Sequence, residues 1–348
     1  MSGVAPPQGV TNYFIYNPVH GASIAFAVLF TFSGFGHIWQ NNLKYKSYRI
    51  GFLLPCTETQ RASLIFTAGF ILREYGSYHT DKLDIFIASQ VLLFVAPPVY
   101  NGANYFIFGR ALYYLPYLSP IHPGRVWSTF IALDGIADAI AANGAVRAAN
   151  ADATEAARKA GLDLVKVSLF LLLGMFLAFM SLNVQFHYRA RKMGVFNYKM
   201  KVIMYELYAS NILILLRNCF RTAAFFYPWN SVANSREWPV WVFEFVPMLI
   251  NTYIMNIWPP ARYLAADHKV YLAMDGKTEI QGPGMIDKRP FLVTLVDPFD
   301  IWGLIKKKDQ KNRYWLKDGI GGPLPEVQSS AGEASEAGHQ VVAPKTVA

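Results

Sequence analysis

Seven long apolar stretches dominate the sequence and limit the folds that the chain can adopt. They span Val19–Gln40, Ile50–Tyr78, Leu83–Phe108, Val126–Val146, Leu162–Phe186, Val202–Tyr227 and Trp238–Trp258. Each reaches the roughly 20 residues that a helix needs to cross a hydrocarbon core about 30 Å thick. Only 16% of the residues are charged, against about 25% in soluble domains. The sequence therefore predicts an all-α, polytopic membrane protein with seven transmembrane helices. The second stretch is the weakest, because Glu58 and Arg61 confine its uncharged part to residues 62–72.

The distribution of lysine and arginine predicts the orientation of these helices. No such residue precedes Lys44, whereas the first, third and fifth loops and the C-terminal segment are rich in them. Basic loops stay on the cytoplasmic side of a membrane. We therefore expect the N-terminus outside and the C-terminus in the cytoplasm. The net charge of +9 is then a topology signal, and nucleic acid is not expected as a partner.

Composition divides the chain into four regions. Residues 1–18 are expected to form a short extracellular N-terminus, and residues 19–260 the seven-helix transmembrane domain. Residues 261–317 form a basic cytoplasmic segment, and residues 318–348 a tail that is too poor in aromatic residues to bury a core and is expected to be disordered.

Two terminal features have their own interpretation. Met1–Asn17 lacks the basic and apolar parts of a cleavable signal peptide, so the first span would serve as the insertion signal. Pro298–Ile305 runs into a lysine cluster; it is either an interfacial helix that faces anionic lipid or a solvated amphipathic turn.

Arg217 and Arg221 lie one helical turn apart inside an apolar stretch. An arginine at the centre of a membrane helix costs about 2.5–3.5 kcal/mol on insertion scales, so such residues indicate a functional site. Counting the helical rise of 1.5 Å per residue from the predicted outer surface places a set of polar side chains in the outer half of the bundle or near its midplane. The set is Arg73, Glu74, Gln90, Asp134, Asp138, Arg217, Arg221 and Glu244. The inner half is expected to be largely apolar.

These charges suggest two facing pairs, Arg221 with Glu244 and Arg217 with Asp138, which would line an outward-biased polar cavity. Charges that are buried in lipid persist when they are paired or wetted. The alternative is that both pairs are static struts between helices.

Pro97 and Pro98 fall at mid-depth in the third stretch. Each proline removes a backbone donor, so a kink or a discontinuity is expected there. Such breaks flank substrate sites in some transporters, and in many proteins they are only kinks.

Several kinds of chemistry find no support in the sequence. The seventh stretch has no lysine for a retinal Schiff base, and no stretch carries two histidines at the spacing of haem or zinc ligands. His37 is therefore interpreted as a satisfied polar residue. Without a Gly-rich phosphate loop, direct ATP hydrolysis is not expected. With two cysteines, Cys56 and Cys219, a disulfide framework is excluded. We expect no metal, no cofactor and no enzymatic activity.

Three groups of residues resemble the fungal lipid-translocating exporters, seven-helix proteins of the resistance-to-aminocholesterol type. The third stretch carries Ala96-Pro97, Ala103, Tyr105 and Gly109-Arg110; the sixth and seventh carry Arg217, Phe220-Arg221, Glu237, Glu244 and Pro247-Met248; Asp134, Gly144 and Gly174 match the fourth and fifth. The segment Arg73–Tyr78 is similar to the branch that exports sphingoid long-chain bases.

This resemblance implies a fungal protein of the plasma membrane or an endomembrane that moves amphipathic lipids. It also shows departures: Glu244 stands where an aspartate is usual, Ala224 where a glutamate usually follows the arginines, and Ala141 and Ala178 where glutamines are common. The missing glutamate removes one partner for the arginines.

Three functions stay open on the sequence alone. The first is a transporter for amphipaths such as sphingoid bases, contributing to resistance to toxic amphipaths; Glu74, Asp138 and Glu244 would accept a cationic headgroup, and apolar walls would accept the chain. The second is a seven-helix receptor for an amphipathic ligand that signals through its cytoplasmic loops. The third is a structural or regulatory membrane protein that affects lipid asymmetry indirectly. Membrane lipids are the expected partners.

Overall fold

The computed structural model describes residues 14, 18–44, 58–149, 154–227, 231–264, 267 and 269–284. Most of the expected extracellular N-terminus, the Pro298–Ile305 segment and the expected disordered tail lie outside the described residues.

The described chain is built around seven long helical segments. Six of them are α1 (Ala22–Ile38), α2 (Glu58–Tyr78), α3 (Leu83–Tyr114), α4 (Pro123–Ala149), α5 (Glu155–Lys192) and α6 (Tyr198–Phe226). After the short α7 (Val232–Ser235), the seventh consists of α8 (Trp238–Val240), a π-helical turn at Trp241–Phe245 and α9 (Val246–Ile257), and the short α10 (Pro260–Tyr263) follows it. The α8–α9 segment is treated below as one helix. The two ends of the bundle are called the Glu237 end, where α1 and α8 begin, and the Arg110 end, where α3 finishes.

Five of these segments are long and apolar enough to cross a membrane: α1 with the π-helical turn that follows it, α3, α4, α5 and α8–α9. Large apolar side chains such as Phe32, Phe35 and Phe170 are exposed on the outer surface of the bundle, where a membrane protein contacts lipid. The chain is therefore a multi-pass, all-α membrane protein, as the sequence predicts. The helices α2 and α6 are comparably long but more polar, because they carry the buried charges described below.

Both polar helices pack against apolar neighbours. Helix α2 packs against α1 and α3, and α6 packs mainly against α8–α9, with further contacts to α5 and α3. Buried aromatic side chains fill the space between α1, α2 and α9, where Phe30 stacks on Phe66 with ring centroids 4.4 Å apart. A second aromatic cluster, which includes Phe108, Phe130 and Phe179, joins α3, α4 and α5.

Helices α4 and α5 approach each other closely. A Cβ atom added at Gly144 would lie 2.7 Å from the carbonyl oxygen of Gly161, and one at Gly161 would lie 2.7 Å from the backbone of α4. Small residues of this kind let two membrane helices approach closely. The α4–α5 pair therefore depends on two glycines that face each other.

Helix α3 is continuous through Pro97 and Pro98, so the expected discontinuity is wrong, while a kink is compatible with a continuous helix. The flanking helical segments are long and pack against α2, α4 and α6, which holds both halves in line although two backbone donors are missing. The irregular turns occur elsewhere, as π-helical turns at Trp39–Lys44 and Trp241–Phe245.

A small β-hairpin covers the Arg110 end and is an exception to the all-α prediction. Strands β1 (Val270–Leu272) and β2 (Glu279–Gln281) pair antiparallel, with Tyr271 opposite Ile280. Three tyrosines at the end of α3 and just beyond it hold the hairpin. Tyr113 donates to the Lys269 carbonyl (3.2 Å) and accepts from the Gly284 amide (2.9 Å); Tyr114 donates to Glu279 (3.0 Å), and Tyr117 to the Ala273 carbonyl (3.3 Å).

Candidate functional site

Glu244 bridges the two arginines of α6. Its Oε1 atom lies 3.0 Å from Nη2 of Arg217, and its Oε2 atom lies 3.2 Å from Nη1 of Arg221. Glu244 and Arg217 are buried, whereas the side chain of Arg221 keeps 31% of its exposure. The arginines are four residues apart on one face of α6, and α8–α9 packs against α6, so one carboxylate reaches both. The predicted pairing of Arg221 with Glu244 is present in the structure.

A π-helical turn carries Glu244. The amide of Val246 donates to the carbonyl of Trp241, five residues earlier. Pro247 follows directly, and a proline inside a helix has no N–H and crowds the carbonyl four residues before it. The wider turn next to Pro247 relieves that crowding. Turns of this kind are frequent at functional sites.

The predicted pairing of Arg217 with Asp138 is wrong. Arg217 donates to Glu244 and to Oδ1 of Asn218 (3.2 Å), and Asp138 has no ion-pair partner among the described residues. The physical reason is the position of α4, which packs mainly against α3 and α5 and not against the arginine face of α6. Asp138 is half-buried, and the charge of Arg217 still acts on it through space.

Phe94 of α3 covers both guanidinium groups of the pair. The ring centroid lies 5.9 Å from Cζ of Arg217 and 5.2 Å from Cζ of Arg221. An aromatic face attracts a cation at such distances, and more strongly where water is excluded. Phe94 therefore closes the α3 side of the arginine pair.

A second buried ion pair lies beside the first. Nη2 of Arg73 lies 2.8 Å from Oε1 of Glu237, with both side chains buried, and Oε2 of Glu237 accepts a hydrogen bond from the Val19 amide at 2.7 Å. The rings of Trp241 and Phe245 lie 5.4 and 5.8 Å from Cζ of Arg73. Glu237 is a site residue that the sequence analysis did not select. Its place in the same motif as Glu244, seven residues earlier, was the available signal.

Glu74 has a structural partner at the Glu237 end. Its Oε1 atom accepts a hydrogen bond of 2.9 Å from the amide of Gly21, the residue before α1. Gly21 has a positive φ of 86°, a conformation that glycine adopts without strain. The carboxylate thus occupies the positive end of the α1 dipole and ties α2 to α1.

Asp134 and Gln90 lie apart from the ion pairs. Asp134 accepts a hydrogen bond of 2.8 Å from the hydroxyl of Tyr105 and joins α4 to α3. Gln90 is half-buried, makes no hydrogen bond within the described chain and lies one turn before Phe94 on the same helix. The Arg73–Glu237 pair and the group of Arg217, Arg221 and Glu244 are together called the double ion pair. Four of its five members are among the eight predicted residues: Arg73, Arg217, Arg221 and Glu244.

The inner half of the bundle also contains a buried network of hydroxyl side chains beside its apolar core. Thr252 of α9 forms hydrogen bonds with Ser33 (2.8 Å), with Nε2 of His37 (3.2 Å) and with Ser63 (3.3 Å), and Ser63 also contacts the Tyr100 hydroxyl (3.0 Å). His37 is thus a satisfied polar residue, as interpreted from the sequence. Short hydroxyl side chains let membrane helices approach and hydrogen-bond across their contacts, which a count of charged residues does not register.

The charges of the double ion pair do not cancel. Three arginines, Arg73, Arg217 and Arg221, face two glutamates, Glu237 and Glu244. The charge of Arg217 acts through space on the half-buried carboxylate of Asp138, and Arg221 is the most exposed arginine of the two ion pairs. Such an arrangement can bind a polar headgroup that carries an anionic group, a cationic group or both.

Comparisons with known proteins place these residues in a family context. Residues 62–267 match the family model described as "RTA1 like protein". The chain is 33% identical over 328 residues to "Lipid-translocating exporter-like protein RTA1" of Leptosphaeria maculans, which covers 88% of this chain and 61% of that relative. It is 30% identical over 275 residues to a protein of the same name from Ajellomyces capsulatus, covering 75% of this chain and 85% of the relative.

A third relative is "Protein RTA1" of Saccharomyces cerevisiae, 27% identical over 269 residues, with 70% of this chain and 83% of the relative covered. The chain spans about three fifths of the length of the Leptosphaeria protein. No solved structure matches it.

Proposed function

The chain belongs to the fungal RTA1-like family, and from this premise we propose that it is a transporter that moves amphipathic lipids across or out of a membrane. Two relatives are named as lipid-translocating exporter-like proteins. The chain is a multi-pass membrane protein with a charged cluster at one end of its bundle. In this proposal the protein moves a bound lipid, and no enzymatic step is required.

The observation that carries this proposal is the partial exposure of Arg221. A cluster that served only as a strut would bury and pair all of its charges, because unpaired charge in a membrane is unfavourable. Here one carboxylate serves two guanidinium groups, and Arg221 keeps 31% of its side-chain exposure. A guanidinium with donors left over is suited to an anionic or hydroxyl-bearing headgroup.

Asp138 is the carboxylate best placed to accept a cationic headgroup. Glu244 is occupied by two arginines, and one oxygen of Glu74 caps α1. Asp138 is half-buried and has no ion-pair partner within the described chain. The sphingoid long-chain bases, whose exporters the segment Arg73–Tyr78 resembles, carry an amine and hydroxyl groups. The amine would contact Asp138 and the hydroxyl groups Arg221, which makes these lipids the proposed cargo.

Flux measurements in proteoliposomes test this proposal. We expect a labelled sphingoid base to cross the membrane faster with the protein than in empty liposomes, and several-fold more slowly with Asp138→Asn. Asp163→Asn is the matched control, since Asp163 is an exposed aspartate of α5 that pairs with Lys166. Equal flux with and without protein would contradict transport. Tight binding of the base without flux would favour the alternative of a seven-helix receptor.

The same proposal places the protein in the plasma membrane, where export would contribute to resistance to toxic amphipaths. Residues 19–260 would form the transport domain, with residues 261–317 on the cytoplasmic side. Fluorescence microscopy of the tagged protein, with markers for the plasma membrane and endomembranes, checks the location.

A further inference from the structure

Glu206 is a buried acid without a partner. It lies on α6 with 4% of its surface exposed, and within the described chain neither carboxyl oxygen has a hydrogen-bond partner. Other buried acids of the bundle are engaged: Glu244 and Glu237 by arginines, and Asp134 by a tyrosine hydroxyl. Glu206 plays no part in the headgroup site proposed above.

A carboxylate in such a place is unfavourable in its charged form. Transfer of an ionised carboxyl group into a low-dielectric interior carries a large penalty unless a counter-ion or hydrogen-bond donors offset it, and otherwise the group becomes neutral. No counter-ion reaches Glu206 among the described residues. The group that best satisfies this carboxylate is therefore a proton.

The elements packed against α6 bring no ion pair or hydrogen bond to Glu206. The titratable and charged side chains on these elements and on the neighbouring turns of α6 include Tyr105, Arg110, Tyr113 and Tyr114 of α3, His187, Tyr188, Arg189, Arg191 and Lys192 of α5, Glu244 and Tyr253 of α8–α9, Arg262 and Tyr263 of α10, and Tyr198, Lys199, Lys201, Tyr205 and Tyr208 of α6 itself. Several of these side chains have other partners. His187 forms a hydrogen bond with the Tyr208 hydroxyl, and the Tyr253 hydroxyl donates to the Leu29 carbonyl.

Glu206 also shares a face of α6 with Arg217 of the double ion pair. Ser210 lies four residues after it and Arg217 eleven residues after it, close to whole numbers of turns, so the three lie on one side of α6. The distance along the helix from Glu206 to Arg217 is about 17 Å at 1.5 Å per residue. Glu206 and Ser210 therefore lie on the same side of α6 as Arg217, with Leu213 between Ser210 and Arg217.

Buried amides lie at the level of Ser210. Asn104 of α3 donates to Ser210 (2.8 Å) and to Asn211 (3.1 Å). Oδ1 of Asn104, Nδ2 of Asn211 and both polar side-chain atoms of Asn251 have no hydrogen-bond partner in the described chain. All three asparagines are fully buried. Polar atoms without protein partners are where buried water binds, and such water would carry a proton between Glu206 and the level of Ser210.

We propose that Glu206 is a proton-binding site that takes up and releases a proton during each transport cycle, so that lipid movement is coupled to proton movement. The step is acid–base only: the carboxyl O–H bond breaks and the proton passes to water that leads to one side of the membrane. The carboxylate later accepts a proton from water that leads to the opposite side. No electrons are exchanged and no further reactant is needed. The coupling to lipid movement rests on the proposed transport function, whereas the proton site does not.

Infrared spectroscopy of the full-length protein in liposomes tests the proton site without any lipid cargo. At neutral pH we expect the carbonyl-stretch band of a protonated carboxylic acid, and Glu206→Gln should remove part of it, whereas Asp163→Asn should leave it intact. Glutamine has the shape of the protonated acid, so the fold should be retained. If Glu206→Gln does not fold, Glu206→Met serves the same comparison. A spectrum with an unchanged band in a folded variant would overturn the proposal.

Lipid flux under an imposed pH gradient tests the coupling. We expect the labelled sphingoid base to cross several-fold faster in one direction of the gradient, and Glu206→Gln to lose that dependence. A variant with the dependence of the wild type, or wild-type flux that ignores the gradient, would overturn the coupling. Absence of any wild-type flux would refute the proposed function instead, and the infrared band would still report on the proton site.

Discussion

At the scale of single residues, Glu244 has the largest expected effect on stability. Its carboxylate is the buried counter-charge of both Arg217 and Arg221. Removing one partner of a buried ion pair leaves an uncompensated charge and destabilises a protein by about 3–5 kcal/mol. We expect Glu244→Gln to lower the free energy of unfolding by that order, measured by thermal unfolding in detergent, and Glu244→Asp, which keeps the negative charge, to lower it less. Equal stability of Glu244→Gln and the wild type would contradict the buried pairing.

Ala224 tests why Arg221 stays partly exposed. A glutamate usually stands at this position in the proteins that the sequence resembles, three residues after Arg221 on α6. We expect Ala224→Glu to pair with Arg221 and so reduce its binding of an anionic or hydroxyl-bearing headgroup. The measurement is binding of a labelled sphingoid base, with Ala224→Gln as the uncharged control. Unchanged or tighter binding by Ala224→Glu alone would contradict a headgroup role for Arg221.

The shared face of Arg217 and Arg221 and the pairing of Arg221 with Glu244 could be predicted from the sequence, because a spacing of four residues puts two side chains on one helix face and Glu244 falls at the depth of Arg221 in the next stretch. The pairing of Arg73 with Glu237 could not, since it joins helices that are far apart in the chain and Glu237 lies at the edge of an apolar stretch. The partner of Arg217 was predicted wrongly because depth gives the height of a residue in the bundle and not the direction in which its helix faces.

At the scale of elements, the α4–α5 pair gives a test with an internal control. A Cβ atom at Gly144 would lie 2.7 Å from the Gly161 carbonyl, while one at Gly135 of the same helix finds no atom within 4 Å. Overpacking typically costs about 1–3 kcal/mol, so Gly144→Ala should lower the unfolding temperature. Gly135→Ala should be neutral or stabilising, since alanine favours a helix by roughly 0.5–1 kcal/mol over glycine. The same melting temperature for both variants would argue against the close contact.

The hairpin at the Arg110 end gives a second test. Tyr113 holds it through two hydrogen bonds, from its hydroxyl to the Lys269 carbonyl and from the Gly284 amide to its hydroxyl. Tyr117 contributes one. We expect Tyr113→Phe to speed cleavage of the hairpin in limited proteolysis several-fold, and Tyr117→Phe to have a smaller effect. Faster cleavage in Tyr117→Phe than in Tyr113→Phe would reverse the assigned order.

Helix existence could be predicted because apolar stretches of about 20 residues have few other folds in a membrane. The continuity of α3 through two prolines could not be predicted, because it depends on neighbouring helices that hold both halves in place. The hairpin was missed since its strands are three residues long and their stability comes from tyrosines over 150 positions earlier in the chain. The π-helical turn at Glu244 has a local signal in Pro247, although the proline alone does not fix its position.

At the scale of the whole molecule, the basic loops predict that the Arg110 end faces the cytoplasm. The Glu237 end, with its ion pairs, would then face outward and receive or release the lipid. Single cysteines introduced at Ser119 and at Thr154, in a variant without Cys56 and Cys219, should react with a membrane-impermeant reagent from opposite sides. In intact cells we expect labelling at Thr154 and not at Ser119. Labelling at Ser119 alone would show that the Arg110 end faces outward and would contradict the predicted orientation.

Arg221→Gln tests most directly whether the charged cluster handles lipid or only joins helices. This substitution leaves Arg217 paired with Glu244, so the buried charge stays compensated and the unfolding temperature should change little. We predict that flux of a labelled sphingoid base in proteoliposomes falls at least several-fold relative to the wild type, with the fold retained. Wild-type flux in the folded Arg221→Gln variant would contradict the account and leave the cluster as a structural element.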